Sequence, residues 1–236
     1  MDAGPVLNPS LDLDRMASAF AQDRRAHIRD ILTYDSAARV HRCLAQETDF
    51  SLLCRTGDDQ AQAWRVTDLT PQKEAELMNA AYACAGDGFH FLYDGHVLSR
   101  DGETYSDPSH YLSAITAFLN SAPLLDFVRR VTGNAAIVFA DAQATRYRPG
   151  HFLNQHDDGN DRGRIAAYVL NMTPRWRPDW GGALLFSDWP GHFSGGYLPV
   201  FNALNILAVP QEHMVGFVSP FAGAARYSIT GWFRAR

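Results

Sequence analysis

An α+β fold, with helices backing one face of a sheet, is predicted by three observations. Apolar residues recur at helical spacing up to Gly133, alternate or cluster in short runs from Asn134 onward, and those runs are separated by Gly, Pro, Asp and Asn clusters. Helices first and strands later indicate segregated layers rather than alternating βα units. Residues 1–236 are read as a single domain, with 1–133 a mainly helical support region and 134–236 the strand-built core.

Taking the elements in order, Val40, Cys43, Leu44 and Glu47 follow a helical spacing after Asp35 and Ser36. A clearer helix starts at Thr70-Pro71, a cap residue followed by proline at the first helical position, and Leu77, Met78, Ala81, Tyr82 and Ala85 form its stripe. Gly86 supplies its stop. Two further stripes, Tyr111/Ile115/Phe118/Leu119 and Leu124/Phe127/Val128/Val131, are separated by Pro123 and closed by Gly133. Strand-like runs then cover 135–140, 142–148, 165–172, 183–186, 203–209, 215–218 and 227–233. Arg148-Pro149-Gly150, Asp157-Asp158-Gly159-Asn160 and Ser219-Pro220-Phe221-Ala222-Gly223 punctuate them as an antiparallel sandwich or barrel does.

With 46% hydrophobic and 20% charged residues, the 236-residue chain has enough apolar surface for a core without metal or disulfide staples. A formal net charge of -5 argues against nucleic acid as the primary partner and against an anionic membrane. Cys43, Cys54 and Cys84 lack C-x-x-C spacing and read as small buried hydrophobes in a reducing compartment. The first residues, acidic and proline-containing, do not form a signal peptide, and no run approaches the roughly 20 apolar residues of a bilayer span. A cytoplasmic protein, monomeric or a small homodimer, is expected.

The chemistry gathers in the strand-rich part. His156 and Asp158 stand two residues apart, so in an extended segment both project from one face while Asp157 points away. A second histidine completes a two-histidine, one-carboxylate facial triad, which leaves positions open on the metal. His213, at the head of a short apolar run, is the best candidate. Arg226 and Ser228 share one face of the last strand, with Tyr227 and Ile229 on the other. An arginine in such a strand is costly unless it meets an anion, and its planar fork suits a carboxylate.

HxD at His156–Asp158, the distal His213 and the RYSITGWF segment from Arg226 together resemble the Fe(II)/2-oxoglutarate dioxygenase superfamily, most closely its prolyl 4-hydroxylase-like branch. That branch includes the ribosomal-protein prolyl hydroxylases and related bacterial proteins. The resemblance runs from about Ala142 to Phe233, with weaker similarity in DGFHFLYD at 87–94 and FLNSAPLLDFVRRVTG at 118–133.

The resemblance implies a double-stranded β-helix, a distorted jelly roll, with His156, Asp158 and His213 on Fe(II) and Arg226 on the distal carboxylate of 2-oxoglutarate. A tyrosine on the strand after HxD often assists in that family. Counting points near Leu170, two residues from Tyr168 and of the same strand parity, and Tyr147 before the HxD turn is the other candidate. The implied reaction consumes 2-oxoglutarate and O2, with ascorbate as a stimulant, releases succinate and CO2, and hydroxylates an unactivated C–H bond. Related halogenases replace the carboxylate ligand by a small residue, so Asp158 favours hydroxylation.

Blander readings stand beside these. An HxD tripeptide also occurs in solvated turns, a strand arginine also pairs with internal carboxylates, and tyrosines also fill sandwich cores. His151 and His192 read as loop residues. Trp176, Trp180 and Trp189, near Pro174, Pro178 and Gly181-Gly182, either line a substrate entrance or pack against the barrel, and 87–96 is either a lid or an additional strand. The leading substrate is a prolyl residue of a protein or peptide. The alternatives are a free amino acid or other small metabolite, and a jelly-roll module that binds a ligand without turnover.

Overall fold

A computed structural model describes residues 3–57, 61–159, 161, 163–188 and 191–235. The chain opens with α1 (Leu13–Asp23), whose Asp12 cap accepts from the Arg15 amide at 3.1 Å, and β1 (Arg25–Arg29) follows. The first predicted stripe is shared between helix α2 (Tyr34–Arg42), which holds Val40, and the π-helical turn Cys43–Glu47 that continues it, which holds Cys43, Leu44 and Glu47. Two strands that the helical stripes do not announce, β2 (Ser51–Arg55) and β3 (Ala61–Arg65), come next. Helix α3 (Pro71–Cys84) starts as predicted, with Thr70 Oγ1 accepting from the Lys73 amide. Its end is held by Ala85 rather than Gly86, which is not in the left-handed region.

The alternative left open for 87–96 resolves to β4 (Phe91–Arg100), a ten-residue strand, with β5 (Glu103–Thr104) after it. Helices α4 (Tyr111–Leu119) and α5 (Ala122–Thr132) match the two later stripes, and Gly133 closes α5 with φ 66°. The support region is thus helical with five strands inserted.

Nine strands follow: β6 (Phe139–Ala140), β7 (Ala142–Tyr147), β8 (Phe152–His156), β9 (Arg164–Asn171), β10 (Leu184–Asp188), β11 (His192–Tyr197), β12 (Ala203–Ala208), β13 (His213–Val215) and β14 (Arg226–Arg234). The predicted 135–140 run shortens to β6 because Asn134 Oδ1 turns back to the Ala136 amide at 3.0 Å. The run at 215–218 pairs earlier than its apolar residues suggest, from His213 to Val215.

All pairings are antiparallel, in the order β1-β12-β9-β14-β7-β4-β8-β13-β10-β11, with β2 also on β4. The sheet folds over where β4 meets β8 through Phe91↔Leu153 and Leu92↔Phe152. At the opposite seam side chains bridge β1 to β11. Arg25 Nη2 donates to the Ser194 carbonyl at 2.8 Å, and His27 stacks on Tyr197 at 5.0 Å. The result is a double-stranded β-helix, as expected.

Burial on both faces explains why β9 is apolar between Arg164 and Asn171. Ala166, Tyr168 and Leu170 pack towards the helices with Ile115, Phe127, Val128 and Phe233, whereas Ala167 and Val169 face the interior with Leu184, Phe186 and Leu207. Each fully buried Leu, Ile or Val there contributes about 1.5–3 kcal/mol. Among the described residues, no single helix is long and apolar enough to cross a membrane. Cys43 and Cys54 are buried free thiols and Cys84 is half-buried, consistent with their hydrophobic reading.

Candidate active site

Strand β8 ends on His156 and β13 begins on His213, and the two residues are cross-strand partners. Their ring centroids lie 4.1 Å apart. Each ring is fixed through Nδ1, 2.8 Å from the carbonyl two residues earlier in the chain, Asn154 for His156 and Gln211 for His213. A carbonyl requires a donor at Nδ1, so in the neutral rings Nε2 carries the lone pair, the tautomer a metal ion binds. Burial, with the neighbouring His156, pushes the His213 pKa down against the pull of Asp158, which favours the neutral ring.

Asp158 reaches the pair from a turn rather than from an extended strand. Its φ is 61°, a left-handed conformation that Asp tolerates better than most residues. Asp157 builds the turn: its Oδ1 accepts from the Gly159 amide at 2.9 Å and its carbonyl accepts from Gln211 at 3.2 Å. The residue brought to the histidines is therefore the expected one, but strand alternation is not the cause.

Asp158 Oδ1 lies 3.8 Å from His156 Nε2 and Oδ2 lies 3.6 Å from His213 Nε2. All three donors fall within 4.8 Å of one another. These separations are too long for hydrogen bonds and suit ligands arranged round one ion. Two histidines and one carboxylate can hold Fe(II) with open positions left over. Cys43, Glu47 and His110 also cluster. There, His110 Nδ1 accepts from Leu112 and Nε2 contacts the Glu47 carbonyl, while Glu47 pairs with Arg39 at 3.0 Å, so those groups are committed.

At the head of β14, Arg226 is 1% exposed. Its Nη2 is 3.5 Å from Asn171 Oδ1, whereas Nε and Nη1 have no hydrogen-bond partner. Burial penalises the cation and only Tyr147 favours it; no carboxylate among the described residues does. The internal salt bridge that would make Arg226 merely structural is therefore missing. A buried guanidinium left so costs several kcal/mol, which a bound carboxylate would offset. This orphaned cation is what an anionic co-substrate fits.

A cavity of about 520 Å³ joins the triad to Arg226, with Phe91, Tyr93, Thr145, Leu153 and Val215 in its wall. Both candidate tyrosines touch the wall, but differently. Tyr147 is the cross-strand partner of Arg226, with its ring 5.1 Å from the guanidinium and stacked on Tyr93 at 5.2 Å. Tyr168 turns into the helix-backed core against Phe233 at 4.7 Å, and its hydroxyl donates to the Asp141 carbonyl at 2.8 Å. Sharing strand parity with Leu170 places Tyr168 on the helix side, because Leu170 itself lies there.

His151 is in a loop as expected, but fully buried, whereas His192 is the first residue of β11 and exposed. Trp176 and Trp180 pack edge to face at 5.3 Å, and neither is part of the cavity wall. Trp189 lies outside the described residues. Two residues beside the site were not singled out by the sequence: Asn171, whose apolar neighbours hide it, and Arg164, whose place at the mouth of an apolar strand is the one available signal.

The fold and the triad define a class, the metal-dependent oxygenases built on a double-stranded β-helix. Residues 142–234 match the 2OG-Fe(II) oxygenase superfamily. No curated protein matches the chain. A Pseudomonas putida prolyl-4-hydroxylase superposes with a TM-score of 0.60 at 18% identity, covering 95% of this chain and 99% of that one. A 2OG-Fe(II) oxygenase family oxidoreductase from Burkholderia pseudomallei gives 0.68 at 13% identity, covering 99% and 95%. A Trichoplax adhaerens prolyl hydroxylase, in complex with a peptide fragment of the hypoxia inducible factor oxygen degradation domain, gives 0.60 at 17%, covering 94% and 89%. At such identities these likenesses show the shared fold. The match over residues 142–234, together with the His156, Asp158 and His213 cluster inside it, supports an enzyme of the 2OG-Fe(II) oxygenase class, with Fe(II), 2-oxoglutarate and O2 as its cofactor and co-substrates.

Proposed function

We propose that the protein hydroxylates a prolyl residue in a protein or peptide, with His156, Asp158 and His213 as iron ligands and Arg226 as the anchor for 2-oxoglutarate. The observation that carries the reading is the pairing of a complete triad with a buried, unmatched arginine in one cavity. Fe(II), 2-oxoglutarate and O2 would supply the oxidising chemistry, releasing succinate and CO2. The chain's own part is positional. His156 and His213 present Nε2, Asp158 supplies the carboxylate, and Arg226 receives a carboxylate at a buried position of the same cavity. Tyr147, beside Arg226, is the tyrosine better placed to meet the same anion.

The prolyl substrate is supported by the fold shared with prolyl hydroxylases, one of them bound to a peptide. Comparing peptides from a strain lacking the gene with those of its parent tests it by mass spectrometry. A proline that carries one extra oxygen atom only in the parent is expected. An unchanged peptide set together with a metabolite that loses one oxygen atom would assign the enzyme to a free amino acid or other small molecule.

A further inference from the structure

Arg164 begins β9, beside the triad but outside it. Its guanidinium carbon lies 3.7 Å over the Trp232 ring, close enough for stacking, and its Nη1 is 3.6 Å from Asp158 Oδ1 and 3.5 Å from the Asp158 carbonyl. Nε lies 3.7 Å from Asp161 Oδ2 on the same turn. Trp232 is fixed in turn by the β9–β14 ladder, where it faces Ala167. Asp158 hangs on a left-handed turn beyond the end of β8, so the strand does not by itself fix the direction of its carboxylate.

From this geometry we infer that Arg164 is a positioning residue for Asp158: stacked on Trp232, it holds the carboxylate facing His156 and His213. The inference rests on the reading of Asp158 as a metal ligand. A lysine cannot replace it fully, because an ammonium neither stacks flat on an indole nor presents a planar fork. The same arrangement has a second consequence. If the Asp158 side chain is removed, the cation remains beside the vacated ligand position, where it would help a small anion to take the place of the carboxylate.

The test uses the full chain and Co(II), whose visible bands report coordination without turnover. Arg164→Met should weaken Co(II) binding by about tenfold or more, the usual cost of losing a group that orients a ligand, and Arg164→Lys should restore only part of it. In Asp158→Gly, added formate should bind the Co(II) centre and shift its bands. The double variant Asp158→Gly/Arg164→Met should need several times more formate, a difference that a purely structural role for Arg164 does not produce. Wild-type Co(II) affinity in Arg164→Met, or equal formate affinity in the single and double variants, overturns the inference. If the wild-type chain does not bind Co(II), or His156→Ala binds it equally well, the triad itself is wrong and the inference falls with it.

Discussion

Arg226 and Tyr147 face each other across β14 and β7, and the guanidinium carbon lies 5.1 Å from the ring centre with no carboxylate among the described residues to balance it. An unmatched buried cation destabilises the empty protein and favours an anionic ligand.

Arg226→Met should therefore separate stability from binding. Removing the uncompensated charge leaves the apoprotein at least as stable, since apolar replacements of buried charges are often neutral or favourable. Removing the partner of the co-substrate carboxylate costs about 2–5 kcal/mol of its binding. Thermal melts with and without 2-oxoglutarate, and the KM for 2-oxoglutarate, check both halves. A variant that melts well below wild type while keeping its KM contradicts the assignment.

The two tyrosines should behave oppositely. In Tyr168→Phe the hydrogen bond to the Asp141 carbonyl disappears, so about 1 kcal/mol of stability is lost while the KM for 2-oxoglutarate holds. Tyr147→Phe should raise that KM severalfold with little change in unfolding. Denaturant titration and steady-state kinetics of the two variants make the comparison.

Acid sensitivity should centre on His151. Burial pushes its pKa down to about 4, with Arg148 acting in the same direction and Asp94 opposing. The unfolded chain, with an ordinary histidine pKa of roughly 6.5, then binds more protons than the folded one between the two values. Stability is complete above the unfolded pKa and falls as pH drops towards 4, by about 3 kcal/mol for this group. His151→Leu should flatten that limb in urea unfolding measured across the window; an unchanged slope counts against the account.

Gly150 should not tolerate a side chain. Its φ is 89°, and an added Cβ would collide with the Tyr82 hydroxyl and the end of Met78. Tyr82 also donates to the Gly150 carbonyl at 2.9 Å, tying α3 to the loop that leads into β8. Gly150→Ala is expected to lose about 1–2 kcal/mol from the left-handed backbone alone, more with the collision, and to loosen metal binding with it. Calorimetry and Co(II) titration of one sample would show the two losses together.

The sequence made some of this readable and hid the rest for physical reasons. The α3 cap at Thr70 and the Gly133 stop act locally, so both were visible. Strands β2 and β3 were not, because their pairing partners, not their own pattern, hold them in the sheet, and all of β3 is exposed. His156, Asp158 and His213 were legible as residue types at a spacing. The mechanism that unites them was not, because a turn closed by the Asp157 side chain, not strand alternation, brings Asp158 to the histidines. Parity alone also could not show where the Tyr168 hydroxyl ends: the residue borders the cavity, but its hydroxyl is bound to the Asp141 carbonyl. Arg164 depends on Trp232, 68 positions later in the chain, and only the folded sheet brings them together.

The most direct measurement is an anaerobic titration of the metal-free chain with Fe(II) and 2-oxoglutarate, followed by absorbance. A charge-transfer band should saturate at one iron per chain, be lost in His156→Ala and His213→Ala, and need far more 2-oxoglutarate in Arg226→Met. No band in the wild-type protein, or a band that survives His156→Ala, would contradict this assignment.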